Sequence, residues 1–156
     1  PNTNKNDITK INCLFLMGNL LKGFRAAAEV TRLRILALCS ETELSVSELT
    51  QILKQSQPRV SRHLKLMVAA GLLERFREGA WAFYRITESG SNRRLARTLI
   101  ELVPEDDPVR LRDKEHLAAV RQDRARRATF GPHAPPREGA RAPRLSFLRP
   151  RRLPSS

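Results

Sequence analysis

The sequence SQPRVSRHLKLMVAAG, at residues 56–71, has the pattern of a helix with two different faces. The apolar positions that share one face are Val60, Leu64, Met67 and Gly71. The opposite face holds Pro58, Arg62, Lys65 and Ala69. Ser56 is the predicted N-cap, whose hydroxyl can accept a hydrogen bond from a free amide, and Pro58 fits a first turn. A helix with a buried stripe and a basic outer face is expected to present that outer face to a partner.

The segments on either side predict a helix-turn-helix followed by a hairpin. Ser45-Val46-Ser47-Glu48 is a capping box, so a third helix is expected to begin at Val46 and to reach the 56–71 helix across the short link Lys54-Gln55. Residues 72–76 and 81–86 are rich in bulky and aromatic side chains, and Gly79 lies between them. These two runs predict a β-hairpin whose aromatic side chains fix it to the helices.

Three further helices are predicted. The first runs from Ile11 to near Glu29, and the second is capped by Thr31 and has Cys39 in its last turn. The last of them, at residues 92–103, is the fifth helix of the chain. It is apolar on more than one side, which favours contact with a second subunit. The predicted fold is mainly α with a small β-hairpin, a dimeric winged helix-turn-helix.

Composition and charge define the predicted boundaries. The chain of 156 residues holds 29 lysines and arginines against 16 acids, a net charge of +13, which favours a polyanionic partner. Residues 1–10 are expected to fray, 11–103 to form the DNA-binding and dimerisation domain, and 104–130 to form a charged, solvated connector helix with Asp107 as its cap. Residues 131–156 are rich in arginine and proline and are predicted to be disordered.

The order of these motifs resembles that of the arsenic-repressor (ArsR/SmtB) family of bacterial transcription factors. The resemblance covers roughly residues 14–103 and rests on four segments in the family's order, AAAEVTRLRIL at 26–36, LSVSEL at 44–49, SQPRVSRHLK at 56–65 and AGLL at 70–73. It implies a homodimer that holds a double-stranded DNA operator and represses transcription until an inducer binds. It implies no enzymatic activity and no cofactor.

The recognition helix and the hairpin supply the predicted DNA contacts. The residues expected to reach the major groove are Gln57, Arg59, Ser61 and Arg62, because Gln can pair with adenine and Arg with guanine. The residues expected to contact phosphates are Lys65, Lys54, Arg75 and Arg77. The dimer contacts implied by the resemblance come from the first and fifth helices, at Leu14, Met17, Leu21, Leu95, Leu99, Ile100, Leu102 and Val103.

The signal that the protein senses is not identified by the sequence. The metal-sensing branch of the family carries a cysteine pair where this chain has Ser45 and Ser47, and serine hydroxyls are poor ligands for soft metals. The family's other metal site uses Asp and His on the fifth helix, and residues 92–103 contain neither. No metal site is therefore predicted. A redox switch that uses Cys13 and Cys39 stays open as a second possibility.

The segment that follows the fifth predicted helix carries a second resemblance. Residues 104–127 resemble the connector of fusions between ArsR-type domains and S-adenosylmethionine-dependent methyltransferases, but no methyltransferase sequence follows here. Nonspecific nucleic-acid binding through the net charge, a catalytic remnant that binds S-adenosylmethionine, and a partner-binding adaptor are the competing functions. The sequence has no signal-like start and no apolar run of about 20 residues, so the expected location is the cytoplasm, on nucleoid DNA, with no membrane partner.

Overall fold

The structure, a computed structural model, describes residues 5–130, which form six helices and a three-stranded sheet. The elements are α1 (Lys5–Ala27), α2 (Val30–Glu41), β1 (Leu44–Ser45), α3 (Val46–Leu53), α4 (Gln57–Ala69), β2 (Leu73–Glu78), β3 (Trp81–Ile86), α5 (Arg93–Leu102) and α6 (Pro108–Phe130). The prediction of a mainly helical winged helix-turn-helix is confirmed. The predicted disordered segment, 131–156, lies outside the described residues.

Helices α3 and α4 form the helix-turn-helix. The capping box at the start of α3 is present, with the Ser45 side chain accepting from the Glu48 amide and the Glu48 carboxylate accepting from the Ser45 amide. Lys54 adopts a left-handed conformation (φ 55°) between the two helices, and Gly71 (φ 69°) ends the segment after α4, as predicted. Ser56 occupies the N-cap of α4, but its side chain makes no capping hydrogen bond, contrary to the prediction.

The sheet contains a strand that the sequence pattern does not predict. Strands β2 and β3 pair antiparallel across the Gly79–Ala80 turn, and the two-residue strand β1 pairs with the outer side of β3, which gives the order β1-β3-β2. Phe76 and Phe83 stack at 5.8 Å, and Phe83 is buried. Trp81 is 45% exposed near the hairpin tip, so the prediction that the hairpin aromatics anchor the wing is wrong for this residue.

The predicted helix starts differ from the structure at two places. Helix α1 begins at Lys5, six residues before the predicted start at Ile11, within the segment expected to fray. Helix α2 is capped by Glu29, whose carboxylate accepts from the Arg32 amide at 3.0 Å, and not by Thr31. Thr31 is buried one residue inside the helix, and its hydroxyl accepts from the Gln55 side chain at 3.1 Å.

The largest difference concerns α6, for which the sequence predicts a solvated connector. Asp107 caps it as expected, accepting from the amides of Val109 and Arg110. However, Leu117 and Val120 are buried in the same hydrophobic core as the residues of α2, α3 and α4. Helix α6 therefore belongs to the domain, because it covers the outer side of α3 and α2.

Helices α1 and α5 approach each other closely at Gly23. A Cβ atom at this position would lie 2.5 Å from the Leu95 side chain and 2.8 Å from the Asn92 side chain, so a larger residue would force these side chains to move. Beside it, the buried Asn92 side chain donates to the carbonyl oxygens of Asn19 and Ala70 and so ties α1 to the end of α4. Among residues 5–130, no helix combines the length and the apolar character needed to cross a bilayer.

Candidate nucleic-acid interface

Helix α4 turns its predicted reading residues outward. Val60, Leu64 and Met67 are fully buried on its inner side. All eight predicted DNA-contact residues are exposed or only partly covered on the outer surface: Lys54, Gln57, Arg59, Ser61, Arg62, Lys65, Arg75 and Arg77. The burial of one face therefore fixes the direction of the other, as the spacing of the apolar residues predicts.

The cations of this face have no acidic partners among residues 5–130. Lys54, Arg59, Arg62, Lys65, Arg75 and Arg77 form no ion pair within the part of the chain that the structure describes. Their charges are available to a ligand, since no carboxylate of the described residues must first be displaced. We call this surface, made by these six cations with Gln57 and Ser61, the reading face.

The recognition helix and the wing lie side by side on the reading face. Ser61 and Lys65 of α4, together with Arg75 of β2, line a shallow cleft of about 370 Å³. Val68, Ala69 and Tyr84 complete its lining. Gln57, Arg59 and Arg62 lie outside this cleft, in the first two turns of α4. Residues suited to base contacts and residues suited to phosphate contacts thus occupy neighbouring parts of one surface.

Arg85, a third arginine of the hairpin, has a different role from Arg75 and Arg77. Its Nε donates to Glu74 Oε1 at 2.5 Å and its Nη1 to Glu43 Oε1 at 3.2 Å, and the guanidinium lies over the Phe76 ring. Burial alone would lower the pKa of Arg85, but the hydrogen bonds to the two glutamates raise it. Arg85 is therefore not counted among the phosphate-contacting residues, because both acids already neutralise it.

His63 lies on the buried side of the recognition helix α4. Its Nδ1 lies 3.8 Å from Glu29 Oε2, and neither ring nitrogen makes a hydrogen bond to a described residue. Burial lowers the pKa of His63, and the nearby positive charges of Arg32 and Arg59 lower it further against the attraction of Glu29. His63 is therefore a packed side chain of this helix rather than a member of its outer face.

The serines that replace the family's cysteine pair have separate roles here. Ser45 is buried, and its hydroxyl donates to Glu48 Oε2 at 2.9 Å, whereas Ser47 in the first turn of α3 is exposed. Among the described residues, no three His, Cys, Asp or Glu side chains come close enough to hold a metal ion. His116 contacts a backbone group, with its Nδ1 2.9 Å from the Ile52 carbonyl oxygen.

The environment of Cys39 opposes a redox switch. The side chain is buried in the core of α2, and this burial raises the pKa of the thiol to about 12. The thiolate is the reactive form of cysteine, so a thiol with this pKa reacts slowly at neutral pH. The side chain of Cys13 lies outside the described part of the structure.

The predicted dimer residues fall into two groups. Leu14, Met17 and Leu21 of α1 are 75%, 57% and 52% exposed, and Leu102 at the end of α5 is 72% exposed. Leu95 is instead buried against Gly23 within the protomer, and Leu99 and Ile100 pack against the same core with part of their surface exposed. Leu95 therefore offers little surface to a second subunit, because its side chain already fills the space between α1 and α5, and its role as a dimer contact stays a prediction.

The apolar surface of α1 extends beyond the predicted dimer residues Leu14, Met17 and Leu21. Phe15, Leu16, Leu20 and Phe24 are also exposed, so apolar side chains surround most of the helix from residue 14 onward. A surface of this kind on a small domain indicates an interface with another protein chain.

Comparison with known proteins identifies the family. The family profile "Bacterial regulatory protein, arsR family" matches residues 29–75, which extend from the cap of α2 into the wing. Over 77 residues the chain is 32% identical to the arsenical resistance operon repressor of Bacillus subtilis, a match that covers 49% of this chain and 73% of that protein. The chain belongs to the ArsR family.

Two further relatives support this assignment. The chain is 46% identical over 65 residues to the arsenical resistance operon repressor of Escherichia coli, covering 41% of this chain and 56% of that one. A solved homodimeric winged helix-turn-helix DNA-binding domain from Mycobacterium bovis, a possible ArsR-family regulator, superposes with a TM-score of 0.51 and 26% identity over 60% of this chain and 86% of that one. The chain spans about half the length of several curated relatives that it matches.

Family membership confirms the expectation of a regulator rather than an enzyme. The matched region ends before α5 and α6. The resemblance of residues 104–127 to a methyltransferase-fusion connector stays a prediction.

Proposed function

We propose that this protein is a homodimeric repressor that binds a specific double-stranded DNA operator through the reading face and releases it when an inducer binds. The observation that carries the proposal is the set of six cations around the outer side of α4 and the wing, none of which forms an ion pair with a described residue. Regulators of this kind act in the cytoplasm, on nucleoid DNA. The Escherichia coli and Bacillus subtilis relatives are named as operon repressors.

Base recognition is assigned to the first turns of α4. A recognition helix inserts its N-terminal residues into the major groove, and Gln57, Arg59, Ser61 and Arg62 occupy these turns. Arg can donate two hydrogen bonds to guanine, and Gln can pair with adenine in the same way. These four side chains would therefore carry the sequence specificity.

Phosphate contacts are assigned to the flanking cations. Lys65 and Arg75 border the cleft between α4 and the wing, Lys54 caps α3, and Arg77 lies near the wing tip. Contacts from such positions fix the register of a protein on the duplex without reading its sequence. Removing one of them should weaken binding to all sequences alike.

Dimerisation is assigned to the exposed apolar surface of α1 and to the end of α5. In the wild type, sedimentation should show a dimer, and Met17→Glu should shift the equilibrium toward monomer, because a charge would be buried without a partner. Lys22→Glu, at an exposed polar position of the same helix, is the matched control and should remain dimeric. Equal dissociation of the two variants would place the interface elsewhere.

The inducer is proposed to differ from a metal bound at the family's usual positions. Ser45 is engaged in the capping box, and the fifth helix lacks the Asp and His ligands that the family's other site uses. The buried thiol of Cys39 makes a redox signal the weaker candidate.

Selection of bound fragments from a random duplex library tests the proposal. The full chain should enrich one sequence in two copies related by two-fold symmetry, with centres about one helical turn apart. Affinity for the enriched duplex should exceed that for a scrambled one by about 10³ or more at physiological salt. Recovery without enrichment, with equal affinity for RNA and DNA, would instead establish nonspecific nucleic-acid binding.

A further inference from the structure

A second cleft lies on the side of the domain formed by α2, α5 and α6. It has a volume of about 330 Å³, and most of its lining is apolar. The apolar residues that line it are Val30, Leu33, Ala37, Leu38, Leu99, Leu102, Val103, Pro104 and Val109. This volume is at the small end of the range for ligand pockets, which are typically apolar with a few polar groups.

The polar group that distinguishes this cleft is the guanidinium of Arg110. Its Nη1 donates to the Val103 carbonyl oxygen at 2.7 Å, and Glu105 is 4.0 Å from its Nη2. Its Nε is buried and has no hydrogen-bond acceptor among the described residues. A buried donor without an acceptor is costly, so a shift of the Arg110 side chain that presents Nε to a ligand oxygen in the cleft would gain a charge-assisted hydrogen bond.

The other charged groups at the cleft are already paired. Arg34 makes a bidentate pair with Asp113, with both N–O distances 2.7 Å, and Lys114 lies 3.9 Å from Glu41. Asp107 accepts from two amides at the start of α6. Among the described residues of the cleft, the cation with a free donor is therefore Arg110, and its natural complement is an anionic oxygen.

We propose that the cleft between α2, α5 and α6 is the effector site, and that it binds a small carboxylic acid with a compact apolar body. The carboxylate would accept from Arg110 and the apolar body would lie against Leu33, Leu99 and the other aliphatic side chains. This inference rests on the proposed function for its regulatory part, since an effector of a repressor must change its affinity for DNA.

Helix α6 connects this cleft to the helix-turn-helix. Its first two turns line the cleft through Val109, Arg110 and Asp113. Further along, His116 contacts the carbonyl of Ile52 in α3, and Arg124 forms a bidentate pair with Glu48 at the start of α3. Helix α3 packs directly against α4. A ligand that shifts the start of α6 would thus act on the helix that supports the reading face.

Direct binding to the full chain, measured by calorimetry without DNA, tests the site. The probes are benzoate, phenylpropanoate and hexanoate, with benzyl alcohol as the neutral counterpart of benzoate. At least one acid should bind more tightly than benzyl alcohol. Arg110→Met should lower the affinity of the protein for that acid by about tenfold or more, the loss expected for one charge-assisted hydrogen bond.

Two more variants distinguish loss of the ligand site from a general loss of folding. Val109→Trp, at the partly exposed rim, fills the cleft and should also abolish binding, whereas Arg112→Met, exposed on the same helix and outside the cleft, should bind as the wild type does. Failure of all three acids to bind, or equal binding by Arg110→Met, would overturn the proposal. It would equally be overturned if no acid bound and Val109→Trp instead weakened the dimer, since a second copy would then occupy the cleft.

A separate measurement with DNA distinguishes this inference from the proposed function. The bound acid should lower the affinity for the selected duplex, and the duplex should lower the affinity for the acid by the same factor. Sequence-specific DNA binding that the bound acid leaves unchanged would overturn the regulatory role of the cleft and leave the repressor proposal standing. Acid binding without any sequence-specific DNA binding would overturn the repressor proposal and, with it, the effector role.

Discussion

The arginines at the contacts between α6 and its neighbouring helices differ in their surroundings from the arginines that face outward from α4. At the α6 contacts, Arg34 donates two hydrogen bonds to the carboxylate of Asp113, and Arg124 donates two to the carboxylate of Glu48. On the reading face, Arg59 and Arg62 are exposed and form no ion pair with a described residue. Arginine therefore stabilises the fold at the α6 contacts and is available to a ligand on the reading face.

This difference shows why net charge alone identifies no site. The chain has an excess of 13 positive charges, but its individual cations are divided between structural pairs and available donors. What separates the two groups is the presence of an acid within hydrogen-bonding distance, which only the three-dimensional structure displays. The wing contains both kinds, since Arg85 is paired, whereas Arg75 and Arg77 form no ion pair with a described residue.

The largest effect is expected from removal of Arg34. Asp113 is 3% exposed, and Arg34→Met would leave its carboxylate buried without its cation. We expect the free energy of unfolding in urea at neutral pH to fall by about 3 kcal/mol. Arg62→Met, on the reading face, should change it by less than about 0.5 kcal/mol.

A double variant checks the cause of that loss. Arg34→Met combined with Asp113→Leu removes both charges and should recover most of the lost stability, since the cost comes from the unpaired carboxylate. If Arg34→Met and Arg62→Met destabilised the protein equally, the distinction between structural and available arginines would be lost.

A smaller effect is expected from the more exposed pair between Arg124 and Glu48. Burial alone would raise the pKa of Glu48, but hydrogen bonds from Arg124 and from the Ser45 amide outweigh it, and the pKa lies below the usual 4.5. The stabilisation is thus fully present above pH 4.5 and is lost as the pH falls through the lowered pKa.

Thermal unfolding between about pH 6 and pH 3 measures this contribution. Glu48→Gln should flatten the acid-induced loss of stability, and Glu115→Gln, at an exposed position of α6, should retain the full slope. An unchanged slope in Glu48→Gln would show that Arg124 does not hold α6 to α3 through this carboxylate.

The wing offers a comparison between neighbouring cations of the same type. Arg75→Ala should weaken binding to selected and scrambled DNA alike and should lower the salt slope of log K by about one unit, because one phosphate contact is lost. Arg85→Ala should leave the salt slope unchanged, since Glu74 and Glu43 already neutralise this arginine. Equal slopes for the two variants would remove the assignment of Arg75 to a phosphate.

The smallest effect is expected at Cys39. The native protein should resist alkylation by iodoacetamide at mildly alkaline pH, because burial raises the pKa of this thiol to about 12, and mass spectrometry after proteolysis should find Cys39 unmodified. The same protein in urea should be labelled completely. Rapid labelling of the native protein would restore the redox switch as a candidate.

The sequence was sufficient to predict the elements with strong local signals. The capping box at Ser45, the stop at Gly71, the turn at Gly79 and the two faces of α4 each depend on residues close together in the chain. The outward direction of Arg59 and Arg62 follows from the same spacing. These predictions hold because helix periodicity and turn geometry are local properties.

The features that the sequence does not predict depend on contacts between distant residues. The strand β1 has only two residues and exists through its pairing with Tyr84 and Phe83. Helix α6 is highly charged, and its place in the core follows from pairs such as Arg34 with Asp113, which are 79 residues apart. Leu95 fits the pattern of a dimer contact, but its exposure depends on Gly23 of another helix, which the local pattern does not reveal.

The most direct test of the reading face is the ratio of affinities for the selected duplex and for a scrambled duplex of the same length. Arg62→Ala should lower this ratio by about 5- to 150-fold, which corresponds to the roughly 1–3 kcal/mol expected for one base contact. Arg112→Ala, exposed on α6, should leave it at the wild-type value. An unchanged ratio in Arg62→Ala, with only a uniform loss of affinity, would contradict the assignment of α4 as the element that reads the sequence.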